Sequence, residues 1–159
     1  MAKLKKKVSI DWDNGPARGD GMVPFFSRAV TVDFALDPIT VAVSSDYPVG
    51  SCPYRVTLKH EIDDHARAYV KLFLSYRDIL VSQLNAITFP TEGAPRWIMP
   101  KDIQALQDRL SQQVQMAVMA VSSRLVAAMD ADRQAKDSQQ AYAALYRQCP
   151  AADWKMRGR

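Results

Sequence analysis

Ser51-Cys52-Pro53-Tyr54, followed by Arg55-Val56-Thr57-Leu58-Lys59 and then His60-Glu61-Ile62-Asp63-Asp64-His65, is where the apolar period of this chain changes from two to 3.6. Upstream, Leu4, Lys6, Val8, Ile10 and Trp12 alternate with Lys5, Lys7, Ser9 and Asp11, the pattern of a half-buried strand with a charged edge. Asn14-Gly15-Pro16 and Gly19-Asp20-Gly21 break it. Val30, Val32, Phe34 and Leu36 predict a second strand, Asp37-Pro38 a turn, and Ile39, Val41 and Val43 a third strand antiparallel to the second, so the strands occupy about 4–45. Downstream, Leu58, Ile62, His65, Tyr69, Leu72, Tyr76 and Ile79 follow a 4-3-4-3 spacing that predicts a long helix over about 54–86.

A Pro- and Gly-containing connection, Thr88 to Met99, comes next. Ile103, Leu106, Leu110, Val114, Ala117, Val121, Leu125 and Ala128 mark a second long helix over about 100–131, with Pro100 in its first turn. Asp137 or Ser138 can cap a short helix over about 138–148 that carries Tyr142, Leu145 and Tyr146 and stops before Cys149-Pro150. The expectation is one α+β domain over 1–159: a small antiparallel sheet from the N-terminal third packed on an antiparallel helix pair, with a short C-terminal helix.

At 159 residues, with 48% apolar and 24% charged side chains, the chain can bury a core without a metal or disulfide. The net charge of +4 comes from basic residues near the ends, Lys3, Lys5, Lys6 and Lys7 and then Lys155, Arg157 and Arg159, which reads as solvated tails rather than a nucleic-acid surface. No unbroken apolar run reaches the 18 or more residues of a spanning helix, so no transmembrane segment is expected. Met-Ala-Lys-Leu-Lys-Lys-Lys is like the charged start of a signal peptide, but Val8-Ser9-Ile10-Asp11-Trp12-Asp13 follows in place of an apolar stretch. A cytoplasmic protein or the mature part of an exported one both fit.

The chemistry concentrates at His60-Glu61. In an H-E-x-x-H helix, two imidazoles one turn apart bind one metal while the Glu acts as general base. Here Asp64 stands four after His60, and the second histidine comes one residue late. On an ideal α-helix, His60 and Asp64 lie about 40° apart but His60 and His65 about 140° apart. The histidines can share a metal only if the helix is locally distorted. His65 falls on the apolar stripe, where a core role paired with Glu61 is the commoner outcome, and His60 and Asp64 lie nearer the polar face. Folding the helices about Thr88 to Met99 would set Arg124 opposite Asp64, which suits an ion pair; Asp130, Asp132 and Asp137 are available as a third ligand only if the helices are offset. Asp63 beside Asp64 reads as a solvated acidic turn, since adjacent helical residues diverge. Trp97 reads as a loop residue packed on the helices, and Met116, Met119 and Met129 as core filling.

Ser-Cys-x-Tyr, five residues and then His-Glu, with Asp137-Ser138-x-x-x-Tyr142 and Cys149 further on, resembles a family of exported bacterial zinc-dependent peptidases of zincin type, over roughly Val41 to Pro150. The resemblance implies a small zincin-like α+β domain in a periplasmic or secreted setting, with His60 as a zinc ligand and Glu61 as general base. It also implies a Cys52 to Cys149 disulfide, and it carries Tyr54, Asp137 and Tyr142 as further matching positions. The chain departs from the family where Asp64 replaces the second histidine, leaving His60 and Asp64 as ligands with the third unknown. Three functions are then weighed: a non-catalytic pseudo-peptidase of the cell envelope that binds a protein or peptide; a zinc-dependent hydrolase using His60, Glu61 and Asp64; and an unrelated helical-hairpin interaction protein.

Overall fold

The computed structural model describes residues 3–154. In chain order the elements are β1 (Leu4–Asn14), β2 (Val23–Leu36), α1 (Cys52–Lys59), a π-helical turn (His60–Ala66), α2 (Arg67–Asn85), β3 (Arg96–Ile98), α3 (Ile103–Lys136, entered through a 3-10 turn at Pro100–Asp102), α4 (Gln139–Tyr146) and a last 3-10 turn, Ala151–Trp154. The protein is α+β, with a three-stranded antiparallel sheet, two long helices and a short C-terminal helix. Its contacts divide into two compact units. One comprises Lys3–Ala35 and Tyr76–Ser123; the other comprises Leu36–Ser75 and the chain from Arg124 onward.

The first unit is built on the sheet, ordered β1-β2-β3. The third strand is not Ile39 to Val43, which makes no strand pairing, but Arg96–Ile98 from the connection between the long helices. It pairs antiparallel with the start of β2, in the register Val23 to Ile98 and Phe25 to Arg96. Ile39, Val41 and Val43 keep an alternating exposure. Alternation reports which side of a segment faces inward and not whether a partner strand lies beside it, and this segment has irregular backbone from Asp37 onward. The connection instead docks on β2, where the Ser27 amide donates to the Pro90 carbonyl at 2.9 Å.

Between β1 and β2 the Gly15 amide donates to the Pro24 carbonyl at 3.0 Å, and a Cβ at Gly15 would meet the Pro24 ring at 2.8 Å, so the close approach requires glycine. Trp12 stacks on Phe25 with ring centroids 5.1 Å apart, over Leu106 and Leu110. Leu80, Val114, Val118 and Val121 form a neighbouring cluster against Val8, Ile10, Val32 and Phe34. Lys3 to Lys7 lie at the outer end of β1, while Lys155, Arg157 and Arg159 fall outside the described residues.

The second unit is fastened at its ends. Ser51 caps α1 by accepting the Tyr54 amide at 3.3 Å, and Ser138, rather than Asp137, caps α4 by accepting the Ala141 amide at 3.2 Å. A disulfide joins Cys52, at the first position of α1, to Cys149, just beyond α4. Such bonds form and persist in oxidising compartments. Pro53, Tyr69, Leu125, Met129 and Leu145 are buried.

β2 begins at Val23, before the Val30 to Leu36 stretch predicted for it, and the two long helices also depart from their predicted bounds. The helix predicted over 54–86 is interrupted by the π turn, across which the Arg67 amide donates to the Ile62 carbonyl, five residues back. The extra residue rotates the face that packs inward. Ile62, expected on the stripe, is 36% exposed, and beyond the turn the inward positions are Tyr69, Tyr76 and Leu80 rather than Ile79. The second helix runs five residues past its predicted end, to Lys136. Over Pro100–Lys136 it also contains a window long and apolar enough to cross a membrane by length and mean hydropathy alone, although its buried residues fall on one face. The interspersed Ser and Gln residues break the apolar runs without lowering the mean far.

Candidate metal centre

His60 opens the π turn and His65 stands near its end. On an α-helix residues five apart diverge, but a turn that closes from i to i+5 stacks them. The two rings pack edge to face with centroids 4.7 Å apart, and their Nε2 atoms are 3.1 Å from each other. Both histidines are buried, His60 included, although its spacing from the apolar stripe predicted a more polar position.

The third group comes from the end of α3. Asp137 Oδ1 lies 3.1 Å from His65 Nε2 and 3.9 Å from His60 Nε2. The Asp137 amide still donates to the Arg133 carbonyl at 2.8 Å, so the extra turns of α3 are what carry this carboxylate to the histidines. Those turns bring Lys136 as well, which holds Asp132 at 2.7 Å and donates to the backbone carbonyl of Asp64. It is therefore Lys136 that reaches Asp64 from α3, where a hairpin about the connection would have set Arg124.

Asp64 itself, expected as a ligand, lies on the other side of the His60 ring. Its Oδ2 is 2.9 Å from Nδ1, and its side chain is 54% exposed. Asp64 Oδ2 is placed to accept from Nδ1, the arrangement that leaves Nε2 on the side of His65 and Asp137. This is the carboxylate–histidine arrangement that orients metal-binding imidazoles. Three candidate ligand atoms, from His60, His65 and Asp137, thus converge within 4.8 Å of one another. A tetrahedral zinc with bonds of about 2.0–2.1 Å sets its ligands about 3.3–3.4 Å apart. Separations of 3.1, 3.1 and 3.9 Å bracket that edge, and two imidazoles with a carboxylate are a donor set for a divalent transition metal.

Tyr142, one turn into α4, completes the surroundings. Its hydroxyl donates to Asp137 Oδ1 at 3.3 Å, and its ring lies 5.9 Å from that of His60. Burial pushes the hydroxyl's pKa up, and the Asp137 charge and hydrogen bond and then the Glu61 charge add to the rise, so Tyr142 is a neutral O–H donor at physiological pH. Glu61, half-buried beside His60, is near enough to act on it. Asp63 pairs with Arg67 at 2.7 Å and faces away from Asp64. Tyr54 serves the start of α1 through its backbone.

The family resemblance carried His60 and Glu61 as ligand and base and Asp137 and Tyr142 as matching positions, and the structure sets His60, Asp137 and Tyr142 beside one another. It adds His65 to the cluster and moves Asp64 to its periphery. No family model, curated protein or solved structure matches the chain.

Proposed function

We propose that His60, His65 and Asp137 hold a zinc ion and that the protein is a zinc-dependent hydrolase of zincin type acting on peptide bonds. The observation that carries this reading is the approach of His60 Nε2 and His65 Nε2 to 3.1 Å with Asp137 Oδ1 beside them, made possible by the π turn. Expectation of a non-catalytic pseudo-peptidase rested on a missing second histidine, and the approach of His65 to His60 across the π turn supports taking His65 as the candidate for that place.

A zinc ion with three protein ligands keeps an open position, polarises a carbonyl oxygen and makes water easier to deprotonate. The chain's own groups supply the rest. Glu61, next to the first ligand, takes the proton from the attacking water and returns it to the leaving amine. Tyr142, kept neutral, donates its O–H to the oxygen on which charge develops. Asp64 holds His60 in the tautomer that points Nε2 at the ion. The Cys52 to Cys149 bond supports a periplasmic or secreted setting.

The test is metal content and peptide hydrolysis of purified protein beside three variants. We expect about one zinc per chain, lost in His65→Ala and in Asp137→Ala, as for a three-ligand site. Glu61→Gln keeps the zinc and loses hydrolysis by about 100-fold or more. Zinc retained in His65→Ala overturns the ligand set. Zinc bound with no Glu61-dependent hydrolysis of any peptide leaves the metal site but returns the protein to the non-catalytic reading.

A further inference from the structure

Beyond the disulfide lies a cavity of about 500 Å³, lined by Tyr47, Tyr146, Arg147, Cys149, Ala151 and Trp154. This is the size of a small-molecule or side-chain pocket. Its walls are aromatic and mutually braced. Trp154 meets Tyr146 edge-on at 4.7 Å and Tyr47 edge-on at 5.7 Å, and its indole N–H donates to the Tyr146 carbonyl at 2.9 Å. Buried Cys149, held by its bond to Cys52, fixes the back. Burial, followed by the charges of Tyr146 and Asp46, pushes the Tyr47 hydroxyl's pKa up, which keeps it a neutral donor.

Arg147 is the one cationic side chain in this lining, and it is exposed with no anionic partner among the described residues. A guanidinium at the rim of an aromatic pocket matches a planar carboxylate attached to an apolar group. The pocket is also linked to the candidate metal centre. Tyr146 stacks on Tyr142 at 6.2 Å, and Tyr142 donates to Asp137.

We propose that this cavity is a subsite for the C-terminal residue of a peptide, its aromatic or large aliphatic side chain against Tyr47, Tyr146 and Trp154 and its carboxylate on Arg147. As a substrate subsite it rests on the hydrolase reading. As a binding site it stands without the metal.

The experiment is a calorimetric titration of the full, disulfide-bonded chain with N-acetyl-phenylalanine, its amide and N-acetyl-glycine, each with and without added zinc. Alongside it, the Trp154 indole N–H resonance is followed, identified by its loss in Trp154→Phe. We expect saturable binding of the acid, about tenfold weaker binding of the amide, and none of N-acetyl-glycine. Arg147→Gln, at an exposed position, removes the difference between acid and amide. Tyr146→Ala, half-exposed and so tolerated by the fold, weakens both. Equal binding of acid and amide, a preference that survives Arg147→Gln, or no shift of the Trp154 resonance each overturn the proposal. Binding of the acid by protein that takes up no zinc sustains the subsite while the hydrolase reading fails.

Discussion

The two compact units are held together by different physics. The unit of Lys3–Ala35 and Tyr76–Ser123 is an apolar assembly in which Phe25, Leu80, Val114, Val118 and Val121 fill the space between strands and helix segments. The unit of Leu36–Ser75 and Arg124 onward buries two histidines, ties its ends by a disulfide and caps its helices with Ser51 and Ser138. In the first, the inward positions of β1 and α3 follow their local pattern, and β3 exists only through its pairing with β2. In the second, a helix leaves its regular geometry at the place where the polar groups converge. π turns inserted in α-helices are frequent at functional sites, and this is what supports taking the His60–Ala66 turn as the candidate site.

Breaking the fastening of the second unit should have the largest effect. Replacing Cys52 and Cys149 by Ala frees a loop of 97 residues, a loss of about 4–5 kcal/mol on the chain-entropy account. Zinc uptake should fall with it, because α1 leads directly into the π turn. Urea titration and metal analysis of the double variant check both, and unchanged zinc uptake would show that the metal centre does not need the disulfide. In the first unit the corresponding lesion is Phe25→Ala. A side chain that is 1% exposed and stacked on Trp12 should cost about 3–5 kcal/mol. Hydrogen exchange under native conditions sharpens the contrast: the disulfide variant should lose amide protection first in α1 and α4, and Phe25→Ala first in β1 and β2.

How far the sequence reveals these units follows the same division. The apolar stripe of α3 is readable almost residue by residue, since Leu106, Leu110, Val114, Val121 and Leu125 are all buried. β1 and the second half of β2, from Val30 to Leu36, are readable because alternation is a local property, whereas the first half of β2, with Phe25 and Phe26 both buried, does not alternate. β3 is not readable, because three residues in a Pro- and Gly-rich connection carry no periodic signal, and only Val23 to Phe25 across the ladder make them a strand. In the second unit, His60 and Glu61 stand out by their motif, and Asp137 and Tyr142 only through the family resemblance, but their geometry depends on where one extra residue is absorbed. A period of 3.6 assumes that none is. The π turn rotates His60 inward and Ile62 outward, and the five further residues of α3 set Asp137 beside His65. Both are tertiary outcomes that no window of a dozen residues encodes.

A smaller effect separates a ligand from a group that orients one. Asp64→Asn keeps the shape of the side chain but removes the charge that holds the His60 proton on Nδ1. Zinc affinity should fall by about 10–100-fold with about one ion per chain still bound at saturation. Competition with a chromogenic chelator measures this. If Asp64 were itself a ligand, saturation binding would be lost as it is for His65→Ala.

The smallest change in metal content is expected from what looks the harshest alteration, deletion of Ile62. This exposed residue lies inside the π turn, and removing it leaves His60-Glu61-Asp63-Asp64-His65, with the histidines four apart. On a regular α-helix residues at that spacing stack one turn apart, so both imidazoles can still meet Asp137 while α1 and α2 keep their own packing faces. The variant should fold and hold about one zinc per chain, its affinity lowered by the displacement of Asp64 from His60. Deleting Ser75, within the regular part of α2, provides the control. There the loss of one residue rotates the rest of the helix by about 100° and turns Leu80 out of its cluster. If the Ile62 deletion unfolds as readily as the Ser75 deletion, the π turn is not an absorbed extra residue but a geometry that the unit requires.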